Sequence, residues 1–264
     1  MNINLAIIGG TGFYHPKIMN DIKEMKIQTR FGEAQLAVGT FNDIDIAFLA
    51  RHGGRHQVPP HRVNYRANIA ALKELGVSRV LASTAVGSLQ KELSPGALVI
   101  IDQFIDFTKQ REHTFYDGEN AGGVVHTDFT DPYCPQLRKY LKDVMIKKGI
   151  VFADRGTYIC TEGPRYETPA EIKAFALWGA DVVGMTNVPE VTLAREAGLC
   201  YANLSLVTNF ASGISPHALT HQEVVEVMRE KINLIREIFM ETLVSIPLEK
   251  ECHCFLKEDY ALGQ

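Results

Sequence analysis

The stretch Arg79-Val80-Leu81-Ala82-Ser83-Thr84-Ala85-Val86-Gly87-Ser88 changes character at its midpoint, from an apolar run to small hydroxyl residues and glycine. A short apolar run ending this way has the pattern of a buried strand that brings its carboxyl end to a site. In open α/β sheets, ligands bind outside those carboxyl ends. Three further segments repeat the pattern: Gly9-Gly10-Thr11-Gly12 after Leu5-Ala6-Ile7-Ile8, Arg51-His52-Gly53-Gly54 after Ile46-Ala47-Phe48-Leu49-Ala50, and Gly184-Met185-Thr186 after Asp181-Val182-Val183. Backbone N–H groups exposed by glycine, threonine hydroxyls and one guanidinium together suit an oxyanion such as phosphate. The pocket would be built from several strand ends rather than one loop.

Each segment alone is weak. Gly9 to Gly12 is equally compatible with a tight strand-to-helix turn, and Arg51 with an ordinary surface ion pair. Phe13-Tyr14-His15 supplies no third glycine for a dinucleotide fingerprint, and no G-x-x-x-x-G-K-[ST] run occurs. Both absences argue against a nicotinamide oxidoreductase or a P-loop enzyme.

Strand-like runs at 4–8, 44–50, 79–83, 97–101, 181–184 and 200–207 alternate with helical stretches. The helices are Asn64 to Leu75, with Ile69, Leu72 and Leu75 at helical spacing, Gln136 to Lys147, Pro169 to Trp178 opened by Thr168 as cap, and Gln222 to Leu243. Glu33–Gly39 and Asp43–Leu49 read as a hairpin joined by Thr40-Phe41-Asn42, so the sheet should be mixed. The expected fold is a single α/β domain over residues 1–246, with helices on both faces of the sheet and a more polar extension at 247–264.

The chain has 264 residues, 46% hydrophobic and 22% charged, with a formal charge of -4, enough for one large domain and without a basic footprint for nucleic acid. No apolar run approaches the ~18 residues of a membrane span and no signal-peptide pattern opens the chain, so a soluble cytoplasmic protein is expected. Cys134, Cys160, Cys200, Cys252 and Cys254 are too few for a disulfide framework. Cys252-His253-Cys254 lacks both the C-x₂₋₄-C spacing and a second pair, so no metal is expected.

Substrate recognition points to Thr161-Glu162-Gly163-Pro164-Arg165-Tyr166-Glu167-Thr168 and to Asn209 at the end of Leu204-Ser205-Leu206-Val207-Thr208. A tyrosine face stacks on a planar heterocycle, an ionised glutamate accepts from ring N–H groups, and an asparagine amide offers a donor and an acceptor together. Glu167 is equally placed to favour the start of the following helix, and Asn209 to form an Asx turn.

The ordered set GGTG, ARHG, VNYRANI, STAVGS, EGPRYET, VVGMTNVPE and AREAGLCYANLSLVTN resembles the trimeric purine nucleoside phosphorylase and methylthioadenosine phosphorylase family over about residues 5–245. The resemblance implies reversible phosphorolysis of a purine nucleoside to free base and ribose 1-phosphate, with phosphate as co-substrate and no metal or organic cofactor. It also implies a nucleoside phosphorylase-like, partly barrel-like sheet and a homotrimer, with a hexamer as variant.

Carried over by position, Thr11, Arg51, His52, Thr84, Ala85 and Thr186 match the family's phosphate site, Met185 the residue under the sugar, and Tyr166 the aromatic beside the base. His126 falls where the family lends a side chain to the neighbouring subunit's site; an exposed loop histidine is the alternative. Methylthioadenosine members carry D-x-D where this chain has Asn209-Phe210-Ala211, and a small hydroxyl residue in place of Glu167. A carboxylate suits the N1–H of a 6-oxopurine, whereas it would face the N1 lone pair of adenine at a cost of ~1–3 kcal/mol. Asn209 and Glu167, with His52, are therefore the expected catalytic groups.

His221 aligns with the reader of the 5′-hydroxyl, where methylthio-specific members carry Val or Met, so inosine and guanosine are the expected substrates. The body of the chain, including IIDQFIDFT and FYDGE, looks closer to the methylthio branch, which keeps S-methyl-5′-thioinosine, or the thioadenosine, as the alternative. A non-catalytic purine-binding module is the reading from another class, and would show no phosphate-dependent turnover.

Overall fold

The computed structural model describes residues 3–13, 19–54, 57–118, 123–215, 219–247 and 249–254. At its centre, β1 (Leu5–Gly9) is buried at every position. It runs parallel to β4 (Ile44–Ala50) on one side, with Leu5 opposite Ile46, and to β5 (Arg79–Ser88) on the other, with Leu5 opposite Arg79. Successive strand residues face opposite sides. Leu5 and Ile7 therefore enter one core with Leu81, and Ala6 and Ile8 enter a second with Val80 and Ala82.

Helices seal both layers. The first core is closed by α2 (Pro135–Lys147) and α5 (His221–Ser245), through Leu137, Leu141, Met228 and Ile235. The second is closed by α1 (Tyr65–Glu74) and α4 (Asn187–Glu196), through Ile69, Leu72, Val191 and Leu193. Their starts are set locally. Asn64 Oδ1 accepts from Ala67 N at 3.0 Å, and α3 (Pro169–Leu177) opens on a Thr168/Glu171 capping box.

Eleven strands form one mixed sheet, in the order β2-β3-β4-β1-β5-β10-β9-β7, with β11 and then β6 and β8 branching from β5. Here β2 is Asn20–Thr29, β3 Gly32–Phe41, β6 Leu98–Ile100, β7 Gln103–Phe107 and β8 Phe152–Ala153; β9 is Thr157–Thr161, β10 Val182–Gly184 and β11 Cys200–Phe210. The sheet forks at β5 and, among the described residues, does not close, so the barrel-like element of the expected fold is corrected to an open branched sheet.

Three further corrections concern elements. The hairpin turn is Asn42-Asp43, both with positive φ and flanked by the Phe41–Ile44 pair, because a two-residue turn with both centres left-handed matches strand twist. Ser83–Ser88 is strand rather than a loop after a strand, held by β11 along its whole length. The expected elements omitted β2, β7, β8, β9 and α4. β2 is largely exposed, so it carries no alternating apolar signal.

The segment after α5 returns to the amino ends of the strands. Arg79 Nη2 donates to the carbonyls of Pro247 and Glu249 at 2.8 and 3.1 Å, and Glu251 N donates to Gln136 Oε1 at 3.3 Å.

Candidate functional site

The fork in the sheet creates the site. On one side of β5, β1 makes its last pairing at Ile8–Ala82, and β10 begins only at Gly87. Among the described residues, the edge of β5 over Ser83–Val86 thus has no strand partner on that side, and Thr84 to Gly87 line a cavity of about 410 Å³. All four segments marked by the sequence contribute to the lining, through Gly10 and Thr11, Arg51 and His52, Thr84 to Gly87, and Gly184 to Thr186. Gly10 is required by close approach: a Cβ there would lie 2.6 Å from the Ser83 carbonyl oxygen and 3.0 Å from Arg51 Nη1.

Arg51 is 2% exposed and held as a fork. Its Nε and Nη2 donate to the two carboxylate oxygens of Glu190, both at 2.6 Å, and Nη1 donates to the Ser83 carbonyl at 3.0 Å. Tyr201 donates its hydroxyl to Glu190 Oε1 at 2.7 Å. Burial opposes the charge on Arg51, but Glu190 more than offsets this and holds the guanidinium above its ordinary pKa. One N–H on each of Nη1 and Nη2 remains for a ligand.

His52 Nδ1 lies 2.8 Å from the Val58 carbonyl, which can only accept, so Nδ1 carries the proton and the ring is fixed at the cavity wall. Thr186 directly precedes α4, which is kinked at Val188, and its side chain makes no capping bond to that helix. The Thr84 hydroxyl is different. It sits 3.1 Å from Asn203 Oδ1 and 2.7 Å from Ser205 Oγ, inside a buried polar cluster between β5 and β11. The Thr84 hydroxyl is thus engaged within that cluster, while Thr84 remains part of the cavity lining.

The lining of the same cavity also includes Tyr166, Glu167, Met185, Asn209, Ala211 and His221. Glu167 Oε1 accepts from Thr161 Oγ1 at 2.7 Å, and burial raises its pKa, with the Thr161 bond opposing. Asn209 follows a register shift in β11 between Val207 and Asn209, a bulge of the kind that re-aims a side chain at a site. Its Oδ1 accepts from Thr208 Oγ1 at 2.9 Å and its Nδ2 donates to the Phe210 carbonyl at 3.0 Å, leaving the second amide N–H. His221 both opens α5 and lines the cavity, beside Leu219 and Val224. Phe210 is not in the lining. His126 is exposed and lies outside the cavity of its own chain.

Sequence reasoning missed Glu190 and Tyr201, and also Gln57 to Pro60, which wall the cavity next to His52. The available signal for Glu190 was a carboxylate inside the apolar run Val188-Pro189-Glu190-Val191. Its partner stands 139 residues away, a distance no local pattern reports.

A family model described as the Phosphorylase superfamily matches residues 4–244. A Dictyoglomus turgidum protein named probable 6-oxopurine nucleoside phosphorylase is 57% identical, over 96% of this chain and 95% of its own. A Methanocaldococcus jannaschii protein named probable S-methyl-5′-thioinosine phosphorylase is 48% identical, over 95% of this chain and 96% of its own. A solved methylthioadenosine phosphorylase from Schistosoma mansoni in complex with adenine superposes with a TM-score of 0.89 at 36% identity, covering 94% of this chain and 93% of that one. Sequence and fold agree over almost the whole length, and the chain belongs to the Phosphorylase superfamily.

Proposed function

We propose that the protein is a purine nucleoside phosphorylase that cleaves inosine and guanosine with inorganic phosphate to the free 6-oxopurine and ribose 1-phosphate, in purine salvage. The observation that carries this reading is one cavity lined both by Arg51 and the open edge of β5, which suit an anion, and by Glu167 and Asn209, which suit a purine base. Relatives named for 6-oxopurine nucleosides, at 57%, 52%, 51% and 50% identity, support the choice of base.

Phosphate is oriented by the two remaining Arg51 N–H groups, the His52 side chain, the Thr11 and Thr186 hydroxyls and the backbone of Thr84 and Ala85. It attacks C1′ from the face opposite the base and offsets the positive charge of an oxocarbenium-like ribosyl. Negative charge builds on the departing purine. The free amide N–H of Asn209 donates to N7, and Glu167, ionised, accepts from N1–H through Oε2. Tyr166 lies beside the base, with Phe210 and Ala211 as the chain behind it, and Met185 lies under the sugar. Rate enhancement comes from positioning and electrostatic stabilisation rather than a covalent intermediate, and the reaction uses no organic cofactor or catalytic metal.

His221 reads the 5′-hydroxyl. His126 completes a neighbouring subunit's site in a homotrimer, or in a hexamer built from trimers. The partners are small molecules, not nucleic acid or membrane; no described helix is long and apolar enough to cross a bilayer. The compartment is the cytoplasm.

One observation favours a second reading, S-methyl-5′-thioinosine: Leu219 and Val224 give His221 an apolar surround suited to a thioether. Phosphate-dependent release of hypoxanthine from inosine and from the thio compound, with adenosine and methylthioadenosine as base controls, tests both. A higher kcat/KM for inosine supports the proposal. A tenfold preference for the thio compound, about 1.4 kcal/mol, replaces it with the second reading, and turnover of neither would leave a binding module.

A further inference from the structure

Cys134, Cys200, Cys252 and Cys254 converge, and their sulfur atoms all lie within 4.8 Å of one another. The sequence reading excluded a metal because Cys252-His253-Cys254 had no second pair. The fold supplies that pair from two other segments, Cys134 at the N-cap of α2 and Cys200 at the first residue of β11. Cys134 N donates to the Tyr201 carbonyl at 2.8 Å, which fixes one beside the other.

All four side chains are buried, and none is in a disulfide. The Cys200 and Cys252 sulfurs stand 3.3 Å apart, well beyond the ~2.05 Å of a disulfide bond. A tetrahedron with ~2.3 Å zinc–sulfur bonds has sulfur–sulfur edges of about 3.8 Å, a value that lies between the 3.3 Å of this pair and the 4.8 Å that bounds the set. Leu137 N, in the first turn of α2, donates to Cys134 Sγ at 3.4 Å, at the positive end of the helix.

We propose that Cys134, Cys200, Cys252 and Cys254 bind one zinc ion as a closed tetrathiolate that pins the segment after α5 to the amino ends of α2 and β11. Four thiols lose four protons and Zn²⁺ accepts four sulfur lone pairs, leaving a complex of net charge 2−; no redox partner is involved. Four protein ligands leave no open position, so the site is structural. Cys200 precedes Thr208 by eight residues along β11, ~26 Å at strand rise. The ion therefore sits away from the nucleoside cavity, and the described part of the tail is no lid over it.

The test is metal analysis of the full chain purified without chelator, by elemental mass spectrometry and native mass, together with a count of reactive thiols. The expected result is one zinc per chain and four thiols shielded until the metal is stripped, with a fall in Tm on stripping. Cys134→Ala and Cys254→Ala should each lose the zinc, whereas Cys160→Ala, outside the cluster, should retain it. Should the cluster variants fail to fold, exchange of the wild-type chain into Co²⁺ should give the thiolate-to-cobalt charge-transfer band and the visible bands of tetrahedral cobalt. Zinc-free protein that takes up neither ion, with four titratable thiols, would overturn the proposal. So would a mass four hydrogens lower, which means two disulfides.

Discussion

Replacing Glu190 with Gln keeps the shape of the side chain and removes its charge. In the folded chain this carboxylate is 1% exposed and accepts two guanidinium N–H bonds at 2.6 Å. Gln offers one acceptor and turns an NH₂ group toward Arg51, so one charge-assisted bond is lost outright and the guanidinium keeps a buried, uncompensated charge. Such a bond is worth ~1.5–3 kcal/mol, and breaking a buried pair by removing one partner costs ~3–5 kcal/mol. We expect Glu190→Gln to lose about 3 kcal/mol of stability, a Tm lower by roughly 6–12 °C for a chain of this size. Phosphate meets a less ordered Arg51 in the variant and binds more weakly, so phosphate should stabilise the variant less than the wild type. With Arg51 no longer held as a fork, KM for phosphate should rise by ~10-fold or more while KM for inosine changes little. The assays are thermal and denaturant unfolding with and without phosphate, and steady-state phosphorolysis with each substrate varied. A variant with wild-type Tm and unchanged phosphate KM would refute the view that Glu190 positions Arg51.

Asn209→Asp replaces the remaining amide N–H with a second acceptor, and should lower kcat/KM for inosine at least about tenfold; full activity of the purified variant would remove Asn209 from the chemistry. Burial raises the pKa of Glu167, so kcat/KM for inosine should fall as pH drops through a value above the ~4.3 of a free glutamate, and Glu167→Gln should abolish that limb and cost ~10²-fold in kcat/KM. The stability effect has the opposite sign. A carboxyl whose pKa is raised in the fold contributes stability in its protonated form, and this is lost as pH rises through the raised value; Glu167→Gln should therefore raise Tm at neutral pH, and a lowered Tm would refute the burial argument. His221→Val should reduce kcat/KM for inosine by ~10-fold and leave S-methyl-5′-thioinosine unchanged or improved, as read by hypoxanthine release; equal losses on both would mean that His221 does not read the 5′ group.

The sequence by itself determined the class of fold and most of the cavity wall. Its signals were local: a strand such as Leu5–Gly9 buried on both faces is a continuous apolar run, and its carboxyl end must carry the residues that meet a ligand. Thr11, Arg51, His52, Met185, Thr186, Tyr166, Glu167, Asn209, Ala211 and His221 were legible on that basis and from their motifs, and all reach the same cavity. The direction of a side chain was not legible. Thr84 turns its hydroxyl toward Asn203 and Ser205, because neighbouring β11 decides which face of β5 it meets. Weakly buried strands such as β2 were also silent, since half-exposed pairing leaves no apolar period to read. Only the tertiary structure could decide the contacts between distant segments. Glu190 meets Arg51 across 139 residues, and Cys252 meets Cys200 across 52. Charge pairing and thiol clustering depend on distance in space, and no spacing along the chain encodes that distance until β5, β11 and the helices over them are packed.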